Sequence, residues 1–237
     1  MQIESLKTEI YSDGADLDQM REMNDRALIK GLTTNPTLMR QAGVEDYISF
    51  CEEALTFINV KPLSLEVFAD DIDEMRRQAL ILAELASNVS IKIPVINSQG
   101  DSTSDLTGEL TRQGLSVNVT AIMTLDQVKQ VLAQFDSNAK GYISIFAGRI
   151  ADTGIDPKPI MRDALSLIAE YPNVKLIWAS TREPFNVIEA NDLGVDIITV
   201  PPSLLNKLEN FGKSLEEFSR ETVEMFKADA QACGYHF

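Results

Sequence analysis

The chain has 237 residues, of which 44% are hydrophobic and 24% are charged, a composition typical of a globular protein with a sizeable core. Its formal net charge of −15 creates a field that repels nucleic acid and anionic membranes, so we expect neither as a partner. No apolar run approaches the roughly 18 residues that span a bilayer, and the N-terminus lacks a signal-peptide pattern, so a cytosolic protein is the simplest interpretation.

Short apolar segments alternate with longer amphipathic ones, a pattern typical of strand–helix units with a parallel sheet. Eight strands are predicted, at Glu9–Ser12, Ile29–Thr33, Leu63–Phe68, Val89–Ile93, Leu115–Val119, Gly141–Ile145, Lys175–Ala179 and Asp196–Val200. A helix is predicted after each, at Leu17–Arg26, Val44–Ile58, Asp71–Ala86, Ser104–Arg112, Leu125–Phe135, Pro157–Glu170, Pro184–Asp192 and Pro201–Leu208. Eight such units predict an α/β fold, a single-domain (β/α)8 TIM barrel at about residues 9–208.

One additional C-terminal helix is predicted at about 214–233, beyond the eight units. Ser214 is expected to cap it, and the acidic residues Glu216 and Glu217 favour its first turn. Its apolar residues form an uneven stripe of Phe218, Val223, Phe226 and Ala230. We expect this stripe to dock on the barrel or, with a slight preference, on a neighbouring subunit. No composition break divides the sequence, so one domain is predicted over residues 1–237.

Lys92 is the one charged residue in the apolar strand pattern Val89–Val95. Because side chains alternate along a strand, Lys92 points to the opposite face from Ile91 and Ile93. Both faces of a parallel sheet are covered, so the amine is expected to have either a partner or a chemical purpose. Burial favours the neutral form of a lysine, which can attack a carbonyl, so Lys92 is a Schiff-base candidate. The alternative is a lysine that reaches solvent or pairs with a carboxylate.

Polar side chains mark the carboxyl ends of the first seven predicted strands, the face that carries the active site in such barrels. They are Ser12 and Asp13, Thr33 to Asn35, Glu66, Lys92, Asn118 to Thr120, Ser144 with Arg149, and Ser180 to Arg182. The eighth strand ends in Val200-Pro201-Pro202 and offers no ionisable group. Taken singly, Asp13, Asn35 and Ser180 have ordinary explanations as turn or cap residues, but seven polar ends on one rim predict a site.

These rim residues suit one kind of chemistry. A lysine that condenses with a ketone needs an acid/base group, and a carboxylate must accept a hydroxyl proton when a carbon–carbon bond breaks. Asp13 and Glu66 are placed for both tasks, although either could instead pair with Lys92 as a structural salt bridge. Arg149 and Arg182, on adjacent rim loops, suit a phosphate unless they are plain surface arginines.

The sequence offers few ligands for a metal ion. Cys51 and Cys233 lie far apart in helix-like segments, which argues against a disulfide framework and against a cysteine metal site. The one histidine, His236, nearly excludes histidine triads and histidine metal sites. We therefore expect chemistry based on lysine, carboxylates and hydroxyls.

Together these motifs resemble those of the transaldolase and fructose 6-phosphate aldolase family, over about Ile10 to Leu208. The resemblance is carried by Gly31-Leu32-Thr33-Thr34-Asn35-Pro36-Thr37, Ile91-Lys92-Ile93-Pro94, Asn118-Val119-Thr120, Ile145-Phe146-Ala147-Gly148-Arg149-Ile150 and Ala179-Ser180-Thr181-Arg182. The Thr-Thr-Asn-Pro block is the most specific of them. The family is one of class I aldolases, so the resemblance implies a lysine Schiff base without metal or organic cofactor.

Residue by residue, the resemblance implies that Lys92 forms the imine with the ketose C2 and that Asp13 deprotonates the C4 hydroxyl. Glu66 and Thr120 would hold the water used in proton transfer. The substrate would be a sugar phosphate, and the residues implied in binding it are Thr33, Asn35, Asn118, Ser144, Phe146, Arg149, Ser180 and Arg182. Small members of the family assemble into pentamer-based rings, so a homo-oligomer, either a dimer or such a ring, is expected.

Two positions favour the transaldolase branch over the aldolase branch. The family's aldolases have Gln at the position of Glu66 and Tyr at that of Phe146, whereas its transaldolases have Glu and Phe. A carboxylate can shuttle protons through a held water, which an amide cannot do. The short chain and its extra helix, in contrast, resemble the small aldolase-like subgroup.

One position departs from the family pattern and affects the expected acceptor. Thr181 replaces an aromatic residue that is common in this loop, and the smaller side chain would reshape the acceptor pocket. Three hypotheses follow: a transaldolase acting in carbohydrate metabolism such as the pentose phosphate pathway, a fructose 6-phosphate aldolase that releases free dihydroxyacetone, and a sugar-phosphate-binding barrel without turnover.

Overall fold

The structure, a computed structural model, describes residues 3–234, so His236 lies outside the described residues. Eight parallel strands close into a barrel in sequence order, which confirms the (β/α)8 prediction. The strands are β1 (Glu9–Asp13), β2 (Ile29–Thr33), β3 (Leu63–Glu66), β4 (Val89–Pro94), β5 (Val117–Ile122), β6 (Gly141–Ile145), β7 (Val174–Trp178) and β8 (Ile197–Val200).

The helices are α1 (Leu17–Asp25), α2 (Pro36–Gln41), α3 (Tyr47–Phe57), α4 (Ile72–Leu85), α5 (Ser104–Arg112), α6 (Leu125–Gln134), α7 (Ala147–Asp152), α8 (Lys158–Ile168), α9 (Phe185–Leu193), α10 (Pro202–Leu205) and α11 (Leu215–Ala232). Within residues 3–234, none of them combines the length and the apolar character needed to cross a bilayer.

Local sequence explains where several helices begin. Asp16, Asp71 and Ser214 each accept a hydrogen bond from the backbone N–H three residues later, which satisfies a donor that the helix itself leaves unpaired. At α6 the Thr124 hydroxyl accepts from the Gln127 N–H, and the Gln127 side chain accepts from the Thr124 N–H in return. These caps fix the helices that follow β1, β3 and β5, and also α11.

The segment after β2 differs from the sequence prediction. The Asn35-Pro36 pair is not a plain turn but starts α2, because the Asn35 side chain accepts from the Leu38 N–H at 3.0 Å and proline occupies the first helical turn. The helix predicted from residue 44 begins only at Tyr47, because Asp46 caps it. The helix predicted after β8 is also divided, into α10 and a 3-10 turn at Asn206–Asn210.

The two faces of β4 place the predicted site lysine. Ile91 and Ile93 are buried in the hydrophobic core, where each contributes roughly 1.5–3 kcal/mol of burial free energy. Lys92 points the other way and lines a cavity inside the barrel. The register places Lys92 beside Glu66 of β3 on one side and Asn118 of β5 on the other. The register of three neighbouring strands therefore brings three predicted site residues into one row.

Part of the barrel interior is filled by a second apolar cluster, formed by Tyr11, Ile177, Ala179 and Ile197, with Tyr142 and Phe146 packed against it. Gly31 makes room for this cluster, because a Cβ at that position would lie 2.5 Å from the Tyr11 ring. This packing fills the barrel beside the cavity.

Candidate active site

Lys92 lies at the carboxyl end of β4 with only 7% of its side chain exposed. Its Nζ donates a hydrogen bond to the Thr34 carbonyl at 2.8 Å and lies 3.0 Å from Glu66 Oε2. The ion pair that the sequence analysis leaves as an alternative is thus present in the structure. A buried ion pair costs desolvation free energy that its attraction often fails to repay, so its presence is weak evidence for a purely stabilising role.

Asp13 ends β1 and is held from two sides. The Thr33 hydroxyl donates to its Oδ1 at 2.8 Å, and the Asn35 side-chain amide lies 3.3 Å from its Oδ2. Burial raises the pKa of the Asp13 carboxyl, while the charge of Lys92 and these two hydrogen bonds act in the opposite direction. An aspartate with a raised pKa holds a proton more readily than an ordinary one, which suits acid/base work.

Thr199 of β8 belongs to the site although the sequence analysis does not select it. Its hydroxyl lies 2.6 Å from that of Thr33. Thr33 has a single hydroxyl proton, and that proton goes to Asp13, so Thr199 is the donor to Thr33. The Thr181 hydroxyl donates to the Thr199 carbonyl at 2.7 Å, which turns this small side chain toward β8. The signal that the sequence analysis missed is strand alternation, because Thr199 lies in β8, two residues before Pro201, and faces the cavity.

Asn118 and Ser144 form a second chain of hydrogen bonds. The Ser144 hydroxyl donates to Asn118 Oδ1 at 2.7 Å, and Asn118 Nδ2 donates to the Ser64 hydroxyl at 3.0 Å. This arrangement leaves the second amide hydrogen of Asn118 and the lone pairs of Ser144 for a ligand. The Thr120 hydroxyl is buried and has no hydrogen-bond partner among the described residues. A buried polar group without a partner is suited to hold a water or a substrate hydroxyl.

Two arginines stand at the other side of the cavity. Arg149 is exposed on α7, and Arg182 follows β7 with its Nε 3.1 Å from Asp152 Oδ1. Helix α7 is absent from the predicted elements because its six residues are too few for a periodic pattern. Close packing sets its position, since a Cβ on Gly148 would lie 1.7 Å from the Ser180 carbonyl oxygen.

Ser180 and Ala121 share an uncommon backbone conformation. Their φ angles are +63° and +59°, in the left-handed region that residues with a Cβ rarely adopt. Both line the cavity, since Ser180 follows β7 and Ala121 lies within β5. Backbone strain of this kind collects at functional sites, where the surrounding structure fixes it.

The structure brings all twelve predicted site residues to one cavity of about 400 Å³. They are Asp13, Thr33, Asn35, Glu66, Lys92, Asn118, Thr120, Ser144, Phe146, Arg149, Ser180 and Arg182. The cavity also includes residues that the sequence analysis does not assign to the site, namely Leu38, Gln41, Ala121, Ala179 and Thr199. Within residues 3–234 no group of three or more His, Cys, Asp and Glu side chains is placed to hold a metal ion.

The sequence model of the transaldolase/fructose-6-phosphate aldolase family matches residues 10–236. The chain belongs to this family. A probable transaldolase of Nitrosopumilus maritimus is 32% identical over 230 residues, covering 91% of this chain and 98% of the relative. A probable transaldolase of Thermoanaerobacter sp. is 33% identical over 225 residues, covering 94% and 97%. Membership of the family leaves two activities to be separated, transaldolase and fructose-6-phosphate aldolase.

A solved structure is similar to this chain in fold. The crystal structure of a 2,3-dimethylmalate lyase matches 97% of this chain and 96% of its own, with a TM-score of 0.54 and 14% sequence identity. At this identity the similarity shows a shared barrel fold and does not indicate a shared activity.

Proposed function

We propose that this protein is a transaldolase that moves a dihydroxyacetone unit from a ketose phosphate to an aldose phosphate through a Schiff base on Lys92. The observation that supports this most is the amine of Lys92, which is nearly buried at the edge of a cavity of about 400 Å³ and has Glu66 3.0 Å away. The neutral amine is the nucleophile in imine formation, and the Glu66 carboxylate lies close enough to accept its proton.

The first half of the reaction forms the imine. The neutral amine of Lys92 adds to the C2 carbonyl of the ketose, and the carbinolamine then loses its hydroxyl as water. Glu66, whose carboxylate lies 3.0 Å from the amine, would accept the proton of the amine and return it to the departing hydroxyl through a water held with Thr120. Asn118 and Ser144 offer a donor and an acceptor for the hydroxyls of the three-carbon unit.

The second half breaks the carbon–carbon bond. Asp13 takes the proton of the C4 hydroxyl, the C3–C4 electron pair moves toward the iminium, and an aldose phosphate leaves with a new aldehyde. The enamine that stays on Lys92 adds to the aldehyde of a second aldose phosphate, and the same proton returns from Asp13. Hydrolysis of the new imine frees Lys92. Arg149, Arg182 and Ser180 would bind the distal phosphate during both halves.

Two residues support transaldolase rather than aldolase activity. Glu66 supplies a carboxylate where the aldolases have an amide, and Phe146 has no hydroxyl where the aldolases have tyrosine. Without that hydroxyl the cavity has one proton donor fewer for the enamine, so transfer to an acceptor is favoured over release of free dihydroxyacetone. An activity assay with fructose 6-phosphate, in the presence and in the absence of erythrose 4-phosphate, tests this preference for transfer. We expect turnover only with the acceptor, and equal turnover without it would mean an aldolase.

A sugar-phosphate-binding barrel without turnover is the second candidate, because Lys92 forms an ion pair with Glu66 in the structure. Against it stands the cavity beside the pair, which gives a ligand access to the amine. Covalent trapping separates the two candidates, since only a free amine can form an imine.

We also propose a homo-oligomer as the working form, in the cytosol. Helix α11 has 18 residues, none of them buried, and it exposes Phe218, Val223, Met225 and Phe226. Such a stripe is suited to pack against a second copy of the chain. Cys51 and Cys233 are both free, as expected in a reducing compartment. Light scattering should give a multiple of the chain mass, and a monomer would contradict this proposal.

A further inference from the structure

Asp152, the last residue of α7, contacts Arg182 at two points. Its Oδ1 accepts from Arg182 Nε at 3.1 Å, and its Oδ2 accepts from a terminal nitrogen of the same guanidinium. Hydrogen bonds from Arg182 lower the pKa of the Asp152 carboxyl, and the charges of Arg182 and Arg149 add to this effect. Arg149 and Asp152 are three residues apart on one helix, so they lie on the same side of it.

Because of this contact, Arg182 and Arg149 differ in how many of their hydrogen-bond donors remain for a ligand. Arg182 uses one edge of its guanidinium on Asp152 and retains its other terminal nitrogen for a ligand. Arg149 forms no ion pair with another residue in the part of the chain that the structure describes. Arg182 is therefore bonded to Asp152 in advance, whereas Arg149 interacts with this carboxylate only through its charge. An arginine that is ordered beforehand spares a ligand part of the entropy cost of ordering that side chain.

The backbone around Arg182 is held as well. The N–H groups of Arg182 and Glu183 both donate to Asn186 Oδ1, at 3.0 and 3.1 Å. Helix α7 packs against the same loop at the close contact between Gly148 and Ser180. The Asp152 carboxylate is thus attached to a helix that packs against the loop carrying Arg182, and it holds this arginine by two contacts although both side chains are about half exposed.

We propose that Asp152 is a positioning residue that holds Arg182 at the mouth of the cavity for the distal phosphate, and that it thereby sets the preference for phosphorylated over neutral sugars. The proposal rests on the proposed function, because it takes the cavity as a sugar-phosphate site. The opposite role is a competing anion that occupies Arg182 and weakens phosphate binding. The two roles predict opposite changes on removal of the carboxylate.

The kinetic test compares Asp152→Ala, Asp152→Asn and the wild type with fructose 6-phosphate and with fructose. For Asp152→Ala we expect a KM for fructose 6-phosphate raised about tenfold, with kcat within about twofold and no change for fructose. The KM of Asp152→Asn for fructose 6-phosphate should lie between those of Asp152→Ala and the wild type, since the asparagine carbonyl oxygen still accepts one hydrogen bond from Arg182. An unchanged or lowered KM for fructose 6-phosphate in Asp152→Ala would overturn the proposal.

A matched control exists on α4, outside the cavity. There both carboxylate oxygens of Glu74 accept from the Nε and a terminal nitrogen of Arg77, at 2.8 and 2.6 Å. Glu74→Ala removes the same kind of pair and should leave both KM values unchanged. An equal rise of KM in this variant would assign the effect to a general loss of surface ion pairs and overturn the proposal.

Binding of inorganic phosphate separates this proposal from the proposed function, because it requires no turnover. Line broadening in ³¹P NMR titrations should show weaker phosphate binding to Asp152→Ala than to the wild type. If no sugar is ever trapped on wild-type Lys92, the transaldolase proposal fails, yet weaker phosphate binding by the variant still supports the role of Asp152. Equal or tighter phosphate binding overturns that role whatever the trapping shows.

Discussion

Two lysine–glutamate pairs join strands of this barrel, and their nitrogen–oxygen distances are both 3.0 Å. Lys92 pairs with Glu66 at the carboxyl ends of β4 and β3, and Lys175 pairs with Glu9 at the amino ends of β7 and β1. The exposed side-chain fractions are 7% and 13% in the first pair but 44% and 38% in the second. Equal distances therefore conceal different environments.

The difference lies in what water does to each pair. An exposed ion pair contributes about 0–1 kcal/mol, so the Lys175 pair is an ordinary surface contact of the barrel. In the Lys92 pair the charges are nearly desolvated, and a third ionisable group, Asp13, lies close enough for the Lys92 charge to affect its pKa. Burial, a neighbouring carboxylate and an open cavity turn the same residue types into a candidate reaction centre.

The largest expected effect is on turnover, when the lysine of either pair is replaced. Lys92→Met should lower turnover by at least about a thousandfold, because the nucleophile is lost. Lys175→Met removes a lysine from the other pair and should keep kcat/KM within about twofold. Steady-state assays with donor and acceptor check both. Substantial turnover by the Lys92 variant would contradict the assigned nucleophile.

The second prediction concerns Asp13, the third ionisable group beside the Lys92 pair. Asp13→Asn should lower kcat by about 10²- to 10⁴-fold, because the base for the C4 hydroxyl is lost. Imine formation comes before that step, so donor sugar should still be trapped on Lys92 in this variant. A normal kcat would exclude Asp13 as the base, and a loss of trapping would move its role to the earlier step.

A smaller effect is expected at the anion side of the cavity. Arg182→Ala should raise the KM for phosphorylated sugars about 10- to 100-fold, the range expected from lost charge-assisted hydrogen bonds. Neutral sugars should be unaffected, because they offer no charge to this side chain. Comparison of KM values for fructose 6-phosphate and fructose checks this, and equal losses for both would refute the phosphate assignment.

The fourth prediction is a pH-dependent stability difference at Asp13. Its pKa is raised above the ordinary 3.8, so the unfolded chain releases this proton at a lower pH than the folded chain does. The stability that protonated Asp13 contributes is therefore lost as the pH rises through that window. Asp13→Asn should have a higher Tm than the wild type near neutral pH, with a smaller difference near about pH 4. A lower Tm for the variant at neutral pH would contradict the raised pKa.

The smallest effect concerns the strained backbone beside Thr120. Ala121 has a φ of +59°, so Ala121→Gly should raise the free energy of unfolding by about 1 kcal/mol. Ala83→Gly, in the last turn of α4, should lower it by up to about 1 kcal/mol. Urea melts of both variants check the signs. A destabilised Ala121→Gly would mean that a side-chain contact outweighs the strain.

The sequence predicts more of the barrel and its rim than of the details between elements. Alternation places Lys92 opposite Ile91 and Ile93, and the ends of seven strands give the polar side of the cavity, because these patterns repeat over many residues. Helices α2 and α7 are absent from the prediction, since six residues are too short for a helical period.

Pairings between distant residues are also beyond the sequence. That Asp152 meets Arg182, and that Thr199 meets Thr33, depends on the angle of α7 and on barrel closure, which no local pattern encodes. The Lys92–Glu66 pair is foreseen only as one of two alternatives. Sequence gives the residue types on the rim, and the closed sheet decides which of them touch.

Reduction with borohydride in the presence of fructose 6-phosphate, followed by peptide mass analysis, tests the central claim most directly. We predict a reduced sugar adduct on the peptide that contains Lys92 and none on the peptide that contains Lys175. No adduct on Lys92, or equal labelling of both lysines, would contradict a Schiff base at the buried pair.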